Sequence, residues 1–354
     1  MKLQIFCVLF SCALTAFSQT PFERFRSLPV QAIHDVWVSP TTDEKWVAGE
    51  RGLVRLINEE EQAVFRREEV LKTPITCIRI APNGKKWLSG YSSNLLVENE
   101  AGEFVPFDFS QNGLFLISDM AVDKRNQAWV ATLGGGLWKV NARGQIEVFN
   151  RKESKIKSDQ VYTIAIDNRQ TKWIGTDEGL ESYSADGRFE RERFMRQTTA
   201  LRFHENELWA AGLDGKWRAV LWRKNTREEW EEVEIPSRMG KITDVYFDPL
   251  GNLWLAGARL AKWNKVNWEI FDERKGFTSK SALCVSVDAQ ENVWVGTEGK
   301  GLLAWLQYPA ESSVGPISAP QTLEEVLASD ELEPDFLNRE IKISIQFEQS
   351  QAKV

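Results

Sequence analysis

The chain has 354 residues, 42% hydrophobic and 27% charged, the balance of a folded globular protein and not of a disordered or fibrous one. Its formal charge of −7 is concentrated in residues 311–354, which hold nine acidic and three basic residues; the nearly neutral body argues against nucleic acid or anionic membrane as a partner. Fifteen Trp against two His favour packing and leave little scope for acid–base or metal chemistry, so no cofactor or metal is expected.

Residues 1–18 read as an export signal. Lys2 gives a positive start, Ile5 to Ala16 form an apolar run broken only by Ser11 and Thr15, and Ala16-Phe17-Ser18 is a small-x-small cleavage pattern. Cleavage between Ser18 and Gln19 predicts a periplasmic or secreted protein. The run is shorter than the about 20 residues a membrane span needs, and no later segment is long and apolar enough, so the chain is expected not to be an integral membrane protein. A lipoprotein would use Cys12, which Phe10 two positions earlier fits poorly. Cleavage leaves Cys77 and Cys284, both in apolar strand segments. Buried free thiols are expected there. A bridge between them stays open, on the view that their repeats lie side by side.

One pattern recurs seven times. Its anchors are Trp46-Val-Ala-Gly, Trp87-Leu-Ser-Gly, Trp129-Val-Ala-Thr, Trp173-Ile-Gly-Thr, Trp209-Ala-Ala-Gly, Trp254-Leu-Ala-Gly and Trp294-Val-Gly-Thr, spaced 41, 42, 44, 36, 45 and 40 residues apart. Upstream of each lies a strand with two apolar positions in alternation, from Val36/Val38 to Val285/Val287. Turn residues separate strand from anchor, as in Asn83-Gly84, Asp167-Asn168 and Asp248-Pro-Leu-Gly251. A third strand follows a turn marked by Gly52-Leu53, Gly136-Leu137, Gly179-Leu180 or Gly301-Leu302. A fourth is apolar and aromatic, as in Phe104-Val105, Val148-Phe149 and Trp268 to Phe271.

A period near 40 with four strands per repeat is one propeller blade, so residues 19–308 predict an all-β, seven-bladed β-propeller of four-stranded blades. The seventh repeat lacks its fourth strand. Pro21-Phe-Glu-Arg-Phe25 has the same look, and an N-terminal strand there would close the ring and remove two exposed edges. The anchor Trp are assigned to core packing, where the gap between blades widens outward. Residues 309–354 read as a linker and acidic tail, partly disordered, with a short helix from Thr322 and a strand-like run from Ile341 to Phe347.

The pattern of apolar strand, Asp, short turn, Trp-x-Gly-Thr and Gly-Leu resembles the two-component regulator propeller repeat. Val161 to Asp167 through Trp173-Ile-Gly-Thr176 to Gly179-Leu180 carries it most closely, as does Leu283 through Asp288 to Trp294-Val-Gly-Thr297. The family's structural Asp falls on Asp123, Asp167, Asp248 and Asp288; blade five has His204 there, and blades one and two depart from it. The family builds extracytoplasmic sensor regions of bacterial hybrid two-component systems. Its members usually carry two sets of blades, an immunoglobulin-like module, a membrane helix and a kinase. This chain has one set, as a stand-alone propeller. The resemblance therefore implies a sensing part without a transmitter.

No phosphate loop, zinc spacing or nucleophile elbow is present, and Gly134-Gly-Gly136 lies between strands, where a tight hairpin is expected instead of a phosphate cradle. A non-catalytic recognition or scaffold propeller is expected, monomeric, whose partner is a polar small molecule, glycan or peptide at the channel mouth, or a cell-envelope protein. The alternative is a propeller enzyme of lyase or glycosidase type. The candidate ligand-binding residues sit in the turns between second and third strands: Arg51, Tyr91, Asp177, Glu178, Asp214, Arg259, Glu298 and Lys300. Trp217, Trp222, Trp230, Trp263 and Trp268 cluster in blades five and six, where packing is expected and exposure would mark a docking edge.

Overall fold

The computed structural model describes residues 22–306 except 26–27, 29–30, 40–41, 43, 59–64, 92–94, 108–112, 114, 142 and 193. The proposed signal peptide and cleavage site, the tail helix and the tail strand lie outside the described residues.

Seven four-stranded antiparallel sheets follow one another along the chain. Their first strands are Ile33–Val38, Ile75–Ile80, Leu116–Val122, Val161–Ile166, Gln197–His204, Asp244–Phe247 and Ala282–Val287, and each packs against the first strands of the sheets before and after it. The last packs against the first, so the sheets form a ring of seven blades. Each anchor Trp lies in the second strand and is buried. Large side chains fill the widening gap between blades while the small residues beside them allow close approach. Gly296 shows why the anchor needs a small residue two positions on: a Cβ there would meet the Cys284 sulfur at 2.5 Å and the Ile33 carbonyl of the next blade at 2.6 Å.

The N-terminal strand, Glu23–Arg24, pairs antiparallel with Leu302–Trp305 and supplies the outer strand of blade seven. Phe22 is buried there among Phe271, Phe277 and Trp305, at ring separations of 5.4, 6.1 and 5.6 Å. The hairpin reading of Gly134 to Gly136 holds as well. Both terminal glycines have positive φ, and Thr132 donates to the Gly136 carbonyl at 2.7 Å while accepting from the Gly135 N–H. Thr176 and Thr297 cap the same turn in blades four and seven, which is the physical role of the Thr in Trp-x-Gly-Thr.

The repeat Asp closes four of the seven blades locally. Asp123, Asp167, Asp248 and Asp288 accept turn N–H groups on Oδ1 and the anchor indole N–H, six residues on, on Oδ2 at 3.0–3.1 Å. Trp46 and Trp209, in blades without that Asp, leave a buried indole N–H with no hydrogen-bond partner. Blade five dispenses with the cap because its turn is shorter. His204 pairs with Glu207, leaving only Glu205 and Asn206, both at positive φ, the geometry of a two-residue hairpin turn.

Cys77 and Cys284 are free and buried. They belong to blades two and seven, which blade one separates, so the premise that their repeats are neighbours fails and no bridge forms. The Trp cluster of blades five and six is mostly packing. Phe194 meets Trp222 and Trp230 at 4.6 Å each, and Trp263 stacks on Trp268 at 5.9 Å. Trp217 is the exception, 60% exposed with the Arg196 guanidinium 4.4 Å from its ring.

Candidate ligand-binding site in and above the central channel

The first strands of the blades enclose a channel of about 560 Å³. In six blades the first strand carries a β-bulge near its start, which turns successive residues toward the channel and toward the next blade. The residue at that position bears a hydroxyl in five blades, as Thr76, Ser118, Tyr162, Thr199 and Thr243, with His34 and Leu283 in the other two. Three of these hydroxyls stitch blade to blade: Ser118 donates to the Val161 carbonyl at 2.6 Å, Thr199 to Ile242 at 2.6 Å and Thr243 to Ala282 at 2.7 Å.

The next residue along is Asp35, Asp119 or Asp244 in blades one, three and six. Each carboxylate accepts an N–H of the following blade at 3.0 Å, from Ile78, Ile164 and Val285 respectively. Cys77 and Cys284 hold the same place in blades two and seven. Burial pushes both thiols well above the ordinary thiol range, so they are inert packing groups. Two residues further, Arg79 and Arg202 donate Nε to the carbonyls of Met120 and Val245 at 2.9 and 2.7 Å.

Arg79 also spans two blades, with Nη1 2.6 Å from Asp35 Oδ2 and Nη2 2.6 Å from Asp119 Oδ1. This trio is saturated. The other pair is looser: Arg202 Nη2 stands 3.6 Å from Asp244 Oδ1, and burial raises the Asp244 carboxyl above its usual value against the opposing pull of Arg202. Most polar groups in the channel are thus committed to holding the ring together. The side between blades five and six retains bonding capacity.

First and third strands bring the mouth residues to one end, where the turns between second and third strands lie. There the Tyr91 hydroxyl is 3.1 Å from Nε2 of His34, with the rings edge to face at 6.0 Å. Burial lowers the His34 pKa, with Glu50 acting in the opposite direction, which favours the neutral imidazole. Tyr162 lies at the same end, with the Lys241 ammonium 5.1 Å from its ring.

The eight sequence-selected residues all fall in turns at this end, spread over six blades, and none lines the channel itself. Tyr91 alone is brought against a channel residue. Asp177 accepts from the Ser158 hydroxyl, and Glu178 pairs with Arg191 at 3.2 Å. Asp214 is occupied by its own turn, taking the Lys216 and Arg218 N–H groups and the Arg218 side chain at 2.7 Å. Arg51 has its N–H bonded to Gln31 and its side chain exposed, Arg259 is half-buried, and Glu298 and Lys300 are exposed. What sequence reading missed is the channel set itself. The signal was present: Asp35, Asp119 and Asp244 each precede the first apolar residue of the strand pair, at the same place in the repeat.

Fold and channel together define a seven-bladed β-propeller whose inner strands are cross-stitched by polar side chains and whose open mouth carries aromatic and charged turns. No family model matches the chain, and no curated protein does. Among solved structures it is similar to the extracellular domain of the putative hybrid two component system BT3049 from B. thetaiotaomicron, with 17% identity over 81% of this chain and 41% of that one, TM-score 0.67. The corresponding domain of BT4673 from the same organism matches at 15% identity over 80% and 39%, TM-score 0.63. A catalytically inactive histidine-to-alanine variant of virginiamycin B lyase from Staphylococcus aureus, with quinupristin, matches at 11% identity over 81% and 99%, TM-score 0.66. At these identities the shared property is the propeller fold. The chain spans about two fifths of the length of the two extracellular domains. Among the described residues no helix is long and apolar enough to cross a membrane.

Proposed function

We propose that this chain is an extracytoplasmic recognition propeller, exported by residues 1–18, that binds a polar ligand such as a glycan fragment or a peptide at the mouth of its channel. The observation that carries this reading is the Tyr91–His34 pair. It places an aromatic ring, 39% exposed, and an imidazole from adjacent blades at the channel end, held by each other and by no other described hydrogen bond. Most deeper polar groups are committed to the ring, the Arg202–Asp244 side excepted, so donors and acceptors for a ligand are concentrated at the mouth, where Arg51, Arg259 and Lys300 also lie. Trp217 on the same face offers a protein partner an exposed aromatic contact. The extracellular domains of similar fold support the sensing role.

The test is a thermal-shift screen of the purified chain against oligosaccharides and peptides. A ligand at a hundredfold its Kd adds about 2.7 kcal/mol of stability. Tyr91→Ala and an Arg51→Ala/Arg259→Ala pair should abolish the shift without altering the unliganded melting temperature. A shift retained in both would remove the mouth as the site.

A lyase-type reading rests on one feature: an imidazole, His34, stands at the channel mouth, and burial lowers its pKa in the direction that suits a base. Turnover of a bound ligand, lost in His34→Ala, would establish it; binding without turnover favours recognition.

A further inference from the structure

On the face opposite the mouth, a groove of about 190 Å³ runs between blades three and four, under the turns that join first to second and third to outer strands. Five cations line it: Lys124, Arg125, Lys139, Arg169 and Lys172. Against them stand Asp123 in the groove, Glu147 bonded to Lys139 at 3.0 Å, and Glu228 paired with Arg169 at 2.8 Å. Asp167, just outside the lining, also acts on Lys172, so an excess of one positive charge remains. Asp123 is turned inward, its oxygens taken by the Trp129 indole and the N–H groups of Arg125 and Gln127.

Lys172 is the unusual member. It is 6% exposed, yet its ammonium has one described hydrogen bond, to the Gln170 carbonyl at 2.7 Å, and no described carboxylate within 4.0 Å. It lies 4.7 Å from the centre of the Trp129 ring, and Lys139 approaches the same ring at 5.6 Å. Burial lowers its pKa; Asp123 and Asp167 oppose this, while Lys139 and Arg125 act in the same direction as burial. An ammonium has three N–H donors, and burying one with two of them unused is costly unless something completes the site.

We infer that this groove binds one oxyanion group, a sulfate, phosphate or carboxylate borne by a larger ligand, with Lys172 at its floor and Lys124 and Arg125 at its rim. The two remaining N–H donors of Lys172 and the uncompensated charge supply what such a group requires, and the Trp129 face holds the ammonium in place. The site is independent of the channel mouth and lies on the other side of the ring.

Isothermal calorimetry on the purified full chain tests this with sodium sulfate, sodium phosphate and sodium acetate, each at ionic strength held constant by sodium chloride. Saturable binding is expected. A preference for sulfate and phosphate assigns a tetrahedral group, and a preference for acetate a carboxylate. Lys172→Met should weaken binding at least tenfold, and Lys216→Ala, on the opposite face, should leave it unchanged. If Lys172→Met fails to fold, Lys124→Ala/Arg125→Ala, confined to exposed side chains, should weaken binding severalfold. Absence of saturable heat from all three salts, or affinity unchanged in the Lys172 or the rim variant, overturns the proposal.

Discussion

The Lys45 ammonium of blade one lies 3.2 Å from Oδ2 of Asp288 in blade seven, with the two side chains 0% and 2% exposed. The pair bridges the seam at which the ring closes, and the same carboxylate oxygen accepts the Trp294 indole. Removing one partner of a buried pair leaves the other charge uncompensated, at a cost of about 3–5 kcal/mol. Lys45→Met should therefore lower the unfolding free energy by about 3 kcal/mol in urea titration. A loss under 1 kcal/mol would show that Asp288 is sufficiently held by its turn and by Trp294.

The repeat Asp should matter only where it is used. Asp167→Ala removes the acceptor of the Thr171 N–H and of the Trp173 indole, at 2.8 and 3.1 Å, and should destabilise by about 2–3 kcal/mol. His204→Ala, at the corresponding place in blade five, strips no partner from Trp209, whose indole N–H is already unsatisfied. It loses the stack of the imidazole on Phe247, at 4.0 Å, and a 3.9 Å approach to the exposed Glu205, and should cost about 1 kcal/mol. Comparable losses in the two variants would contradict the assigned role of the Asp.

Ring closure depends on one aromatic at the start of the described chain. Phe22→Ala empties a site walled by Phe271, Phe277 and Trp305, and truncations of this size cost about 3–5 kcal/mol. Loosening the N-terminal strand also frees the edge of Leu302–Trp305 for pairing with another chain. Phe22→Ala should lower the melting temperature and raise the oligomer fraction in light scattering, whereas Val105→Ala, at an exposed site, should do neither.

Acidification should weaken the fold through its histidines. Burial lowers the pKa of both His34 and His204 below 6.5, so the unfolded chain takes up protons first as pH falls. Their contribution is complete above 6.5 and is lost as pH drops toward the folded values. Unfolding free energy measured from pH 7.5 to 5.5 should fall more steeply for the native chain than for a His34→Gln/His204→Gln variant. Parallel curves would show that neither ring is shielded from protonation.

The propeller was legible because its determinants are local and repeated. Period-two alternation, turn residues and the Trp anchor each act within a few residues, and seven copies reinforce one reading, down to the closing strand at Phe22. Even the Asp-to-Trp bond spans six positions, although its donor, the indole N–H, emerged only from the geometry. The channel was not legible in the same way. Asp35 meets the Ile78 N–H 43 residues on, Asp119 meets Ile164 after 45, and Ser286 reaches the Val36 carbonyl across 250. In sequence these residues are isolated polar interruptions of apolar strands. The closed ring brings each to the backbone of the next blade, which decides that most channel polar groups hold the ring together, that Tyr91 meets His34, and that Lys172 is buried short of acceptors. Strand identity follows from side-chain periodicity along one segment, whereas the bonding state of a charged group depends on neighbours that only ring closure supplies.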